Sequence, residues 1–176
     1  MNPISNKKIE QILAKKLGFE ETMREIFLAF PIHNALGMSL DKVSQEDGCH
    51  FSITFYRPLT NIYGTVQGGA VMALDSAVWM SVVAFLGPEI LKDNLLITVN
   101  TNCDFKIPVE IGERYTVMSR SSDRFSHQKG RDVVSGHALI LTSDGREAAL
   151  LYATKMIVPV SAVDNSVLLT QAQKLE

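Results

Sequence analysis

A chain of 176 residues, 46% apolar and 20% charged, has the composition of one globular domain with a sizeable core. Its formal charge of −2 and pI near 6.1 leave no basic footprint for nucleic acid and no polybasic run for an anionic membrane. An anionic ligand would have to be captured by local basic residues, because the field of the whole chain does not favour it.

The N-terminal residues carry no apolar stretch with a cleavage pattern, so a cytoplasmic location is expected. Residues 5–17 and 19–30 read as two helices. Ile9, Ile12, Leu13 and Leu17 recur at helical spacing in the first, and Met23, Ile26, Phe27 and Phe30 in the second, which should stop at Pro31. Residues 1–34 are expected to form a helical cover, 35–160 the main domain and 161–176 a tail that is either a short helix or frayed.

The period then changes. Residues 36–44 read as a strand and Glu46-Asp47-Gly48 as a turn. Cys49, Phe51, Ile53 and Phe55 then alternate with His50, Ser52, Thr54 and Tyr56, the pattern of a half-buried strand. Pro58 ends that run and a loop with Asn61 and Gly64 follows. Residues 68–86 are an apolar helix whose one charge is Asp75, stopped by Gly87-Pro88. Its length approaches a bilayer span, but Asp75 would cost roughly 2.5–3.5 kcal/mol in lipid. With strands on both sides, a helix buried inside the domain and no membrane span are expected.

Four more strands are expected at 95–105, 112–123, 131–142 and 147–158. Ser143-Asp144-Gly145-Arg146 should turn the last hairpin, with Asp-Gly suited to a type I′ turn. Cys49 and Cys103 lie in strand-like segments, where small buried thiols are expected rather than a disulfide. No histidine pair has metal-ligand spacing, so no metal site is expected. A helix that is apolar all round must be covered on nearly every side. The expected fold is therefore α+β: a curved antiparallel sheet of about six strands wrapped around one long helix. A second copy of the chain would complete the cover, as a homodimer or a dimer of dimers.

The stretch from Asn61 through Gly64-Thr65-Val66-Gln67-Gly68-Gly69 to Asp75-Ser76 resembles the signature of hotdog-fold acyl-CoA thioesterases of the phenylacetate and human types. Those proteins carry Asn, then Gly-Thr-x-His-Gly-Gly, then a helical Asp. Phe105, Pro108, Gly112 and Glu113 resemble their strand junction, and the likeness spans about residues 35–158. Here Gln67 stands where many relatives have His, and counting from the glycine pair places their acid on Ser76, one residue after Asp75.

The resemblance implies hydrolysis of an acyl-CoA or acyl-carrier-protein thioester, with no cofactor beyond the CoA of the substrate. Gly68 and Gly69 would bring free N–H groups to the thioester carbonyl. Asp75 would orient or deprotonate water or attack the carbonyl, unless Ser76 occupies that slot. The amides of Asn61 and Gln67 would hold the water or the carbonyl, or else anchor the loop. Arg124, Lys129 and Arg131, the last two flanking Gly130 in a polar turn over 126–131, would meet CoA phosphates unless that turn is a solvated tip. Trp79, Met80 and Phe85 read as packing residues that could also line an acyl tunnel. The alternative is a non-catalytic acyl-thioester binding module. A dehydratase needs a histidine paired with an acid to move protons, and no histidine leads into or lies in the central helix here.

Overall fold

A computed structural model describes residues 6–128 and 131–162, the side chains of Asn6, 123–128 and Arg131 excepted. Three helices lead the chain: α1 (Asn6–Ala14), α2 (Phe19–Ala29) and α3 (Pro31–Ala35). Helix α1 ends before Leu17, α2 stops ahead of Pro31 as expected, and Pro31 also opens the short α3, which was not expected. Proline at the first helical position gives up only an N–H with no intrahelical partner, and its fixed φ suits a new start.

Six strands follow: β1 (Met38–Ser44), β2 (Gly48–Thr54), β3 (Asn94–Phe105), β4 (Arg114–Gln128), β5 (Arg131–Leu141) and β6 (Glu147–Pro159). They form one sheet in the order β1-β2-β4-β5-β6-β3, and every neighbouring pair is antiparallel. The expected α+β layout, a six-stranded sheet with a long central helix and N-terminal helices, is found.

Two connections differ from expectation. Strands β4 and β5 pair out to Gln128 and Arg131, so the polar turn is narrower than 126–131. The β5–β6 turn is not type I′. Gly145 has φ 83°, but Asp144 is not left-handed, and its carboxylate instead accepts from the Thr142 hydroxyl and from Arg146 Nε at 2.8 Å. Cys49 is buried and its thiol pKa is pushed up to about 12 by burial. Cys103, on edge strand β3, is only half-buried, against expectation.

The central helix spans residues 68–86 as α4 (Gly68–Met72) and α5 (Asp75–Leu86), joined through Ala73 and Leu74. Helix α5 lies across β2, β4, β5 and β6 and buries Ala77, Val78, Met80, Val82, Val83 and Ala84 completely. At the joint, N–H groups reach three residues back: Leu74 to Val71 at 3.0 Å, Ser76 to Ala73 at 3.2 Å and Ala77 to Leu74 at 2.8 Å. Such bonds wind the chain by 120° per residue instead of 100°. Three overwound residues add about 60°, most of the turn needed to bring Asp75 round to the direction that Ser76 would otherwise take.

Gly136 of β5 permits the close seat of α5. A Cβ there would stand 2.7 Å from Val78 Cγ1 and 2.8 Å from the Arg120 carbonyl oxygen. Gly136→Ala should therefore cost about 2 kcal/mol by overpacking. Chemical denaturation checks this, and an unshifted midpoint would mean that the helix has room to lift.

Candidate active site

Asp75 opens the first turn of α5 with its side chain 22% exposed. Oδ1 accepts a hydrogen bond from Lys155 Nζ at 2.5 Å, and Oδ2 accepts one from Thr98 Oγ1 at 2.7 Å. Lys155 Nζ also donates to Thr98 Oγ1 at 2.7 Å, which closes a triangle of three side chains. Lys155 is fully buried because β6 alternates, and it shares the inward phase with Leu151 and Ala153. Thr98 is its direct cross-strand partner, and a bulge follows Thr98 in β3. Burial holds the Lys155 ammonium below the ordinary lysine pKa, while the hydrogen bond and charge of Asp75 pull it back up.

This ion pair is the feature that sequence reasoning missed. Its signal was present: one basic residue on the apolar phase of the last strand, and one acid in an otherwise uncharged helix.

Asp75 and Ser76 both line an open cleft of about 600 Å³, with Phe30, His33, Trp79, Leu96 and Thr101 among its other walls. The Ser76 hydroxyl makes a weak contact, Oγ to Met38 Sδ at 3.9 Å. His33 is 1% exposed, stacks on Phe27 at 4.3 Å and donates from Nδ1 to the Phe27 carbonyl at 2.8 Å, so Nε2 is left as a buried acceptor with no partner among the described residues.

Burial lowers the pKa of His33. Below pH ~6.5 the unfolded chain therefore binds a proton that the folded chain resists, and stability falls with pH until the lowered value is passed. His33→Phe should flatten the fall in melting temperature between about pH 6.5 and 5. An unchanged pH profile would exclude His33 as its source.

The rest of the signature lies elsewhere on the chain. Asn61 closes its own loop: Oδ1 accepts from the N–H groups of Tyr63 at 2.8 Å and Thr65 at 3.2 Å, and Nδ2 donates to Thr65 Oγ1 at 2.8 Å. Gln67 precedes α4 with an exposed side chain that makes no capping bond, while its N–H reaches the Leu59 carbonyl at 2.7 Å. Gly68 and Gly69 begin α4, where no preceding turn accepts their N–H groups.

Gly68 lines a different cleft, of about 450 Å³, with Thr65, Val66 and the Phe105–Val109 segment. The Val66 N–H bonds to the Val109 carbonyl at 2.8 Å, so the junction motif props up the loop that precedes the helix. Asp75, Ser76 and the cleft are thus together in one chain. Asn61, Gln67, Gly68 and Gly69 are not part of that cleft. Lys129 and Gly130, and the side chains of Arg124 and Arg131, lie outside the described residues. No group of three or more His, Cys, Asp or Glu that could hold a metal occurs among the described residues.

No family model and no curated protein matches this sequence. Solved structures do match its fold. A mutant of the phenylacetic acid degradation protein PaaI from Thermus thermophilus has TM-score 0.59 and 17% identity, covering 72% of this chain and 98% of its own. A protein of the thioesterase superfamily reaches TM-score 0.62 at 20% identity, covering 77% of this chain and 96% of its own. A Streptococcus mutans protein solved with acetyl-CoA bound gives 0.54 at 12%, covering 69% of this chain and 89% of its own. A six-stranded antiparallel sheet across a central helix, shared with these structures over nearly their whole length, gives this chain the hotdog fold.

Proposed function

We propose that the protein hydrolyses an acyl-CoA or acyl-carrier-protein thioester, with Asp75 as the carboxylate that activates water or attacks the carbonyl. The observation that carries this reading is the setting of Asp75. It is the one charged side chain of the central helix, it is held by Lys155 and Thr98, and it opens into a cleft beside Ser76. A neighbour of the same fold was solved with acetyl-CoA, which supports a ligand of the CoA type. The overwound turn at Ala73–Leu74 supports Asp75 over Ser76 for the role, since it swings the acid toward the expected direction. No cofactor is needed.

The site is assembled from two copies of the chain in this reading. Gly69 and Asp75 are six residues apart, about 9 Å along a helix. A reacting carbonyl must lie within about 3 Å of both its donors and its nucleophile. Gly68 and Asp75 also line separate clefts. Strand β3, where Leu96 and Thr101 line the Asp75 cleft, is an open edge with Ile97 41% and Val99 51% exposed. Pairing of β3 with its own copy would cover that edge and bring the helix start of one chain to the carboxylate of the other.

A second reading, acyl-thioester binding without turnover, is favoured by the engagement of both Asp75 carboxylate oxygens. Thiol release from a panel of CoA esters, acetyl to long-chain and aromatic, separates the two. Turnover is expected for at least one ester, and saturable binding with no thiol release would leave only the second reading.

A further inference from the structure

On the far side of Trp79 lies a second cleft of about 320 Å³, which shares Phe30, Trp79 and Leu96 with the first and is otherwise lined by Ile9, Leu91, Asn94, Leu95 and Ile97. Both volumes suit small-molecule ligands. The shared wall is an aromatic pair: Phe30, at the bend between α2 and α3, packs on Trp79 with ring centroids 4.5 Å apart.

Polarity falls from the first cleft to the second. The first holds Asp75, Ser76 and Thr101. Apart from the Trp79 indole N–H, the polar side chain of the second is Asn94, whose amide donates to the Ile90 carbonyl at 3.1 Å. A ligand that spans both needs a polar head and an uncharged tail, because a charged terminus would be stranded without a partner.

We propose that the thioester site takes a straight, methyl-ended acyl chain of medium length, whose tail passes the Phe30–Trp79 pair into a chamber roofed by the N-terminal helices. This rests on reading the Asp75 cleft as a thioester site and adds the class of acyl group. Helix α1 contributes Ile9 to the far wall, so the N-terminal helices set the chain length accepted.

Trp79 is the single tryptophan, and its fluorescence reports on both clefts. The test titrates the full chain with free straight-chain carboxylic acids from acetate to tetradecanoate, then repeats the series as CoA esters with thiol detection. Trp79 emission should respond, with affinity rising about fourfold per methylene through the middle of the series and then levelling off. Ile9→Phe should move that plateau to shorter chains and leave butyrate unaffected. Leu95→Phe narrows the same cleft from the half-buried edge strand and serves if Ile9→Phe does not fold.

Affinity indifferent to length, a preference for phenyl-bearing acids, or a plateau that neither variant moves would overturn the proposal. So would Trp79 emission that ignores the acids and changes only on dilution, the mark of a second copy filling the chamber. The free acids need no turnover. A length-dependent response without hydrolysis of any ester would remove the hydrolase reading alone, and hydrolysis blind to chain length would remove the chamber alone.

Discussion

Asp75→Asn should destabilise the fold by about 3–5 kcal/mol, and Lys155→Met added to it should restore most of the loss. Lys155 is wholly buried, so loss of its carboxylate leaves an ammonium facing neutral groups alone among the described residues: Thr98 Oγ1, the residue-75 carbonyl at 3.5 Å and an amide. Breaking a buried pair is costly, whereas replacing both charges with groups of similar size is often neutral. The order of severity follows from exposure. Lys155→Met alone should cost less than Asp75→Asn alone, since the Asp75 carboxylate keeps some access to water.

The pH dependence has a definite sign. The folded-state pKa of Lys155 lies below its unfolded value, so between the two the unfolded chain binds the extra proton and stability rises with pH. Removal of Asp75 takes away what opposes desolvation. The deficit of Asp75→Asn should therefore shrink as pH climbs toward about 10. Denaturant melts across alkaline pH, with the double variant as reference, measure this. A deficit that stays constant would mean that Lys155 is not the group left stranded.

The same pair of variants isolates chemistry from folding. If Asp75 activates water or attacks the carbonyl, the double variant should be well folded yet slower in thiol release by at least about a hundredfold. A stable double variant with near wild-type turnover would reduce Asp75 and Lys155 to a structural pin. Recovered folding with lost catalysis would assign the carboxylate a chemical role that its ion pair alone does not explain.

Local pattern made much of the fold legible. Strand β2 announced itself by strict alternation, and the central helix by an uninterrupted apolar run between Gly68-Gly69 and Gly87-Pro88. Groups joined across long separations were not legible. Lys155 and Asp75 lie on the last strand and the central helix, and no period within either segment says that they meet. Pro31 was ambiguous because proline ends one helix by the same property that lets it begin another. Asn61 carried two readings, and the loop hydrogen bonds are the ones that form within this chain. Asp144-Gly145 suited a mirror-image turn, but Asp144 is drawn to the Thr142 hydroxyl and the Arg146 guanidinium instead.

The tightened joint at Ala73–Leu74 also bears on how such a helix tolerates a change of length. A coil wound harder over a few bonds can absorb a missing residue by rotation, without shifting the segment that follows. One alanine inserted between Ala73 and Leu74 would let the joint relax to ordinary α geometry and leave α5 in its groove. The acid would then stand as far after the glycine pair as counting along the signature places it, and spacing in sequence would match direction in space.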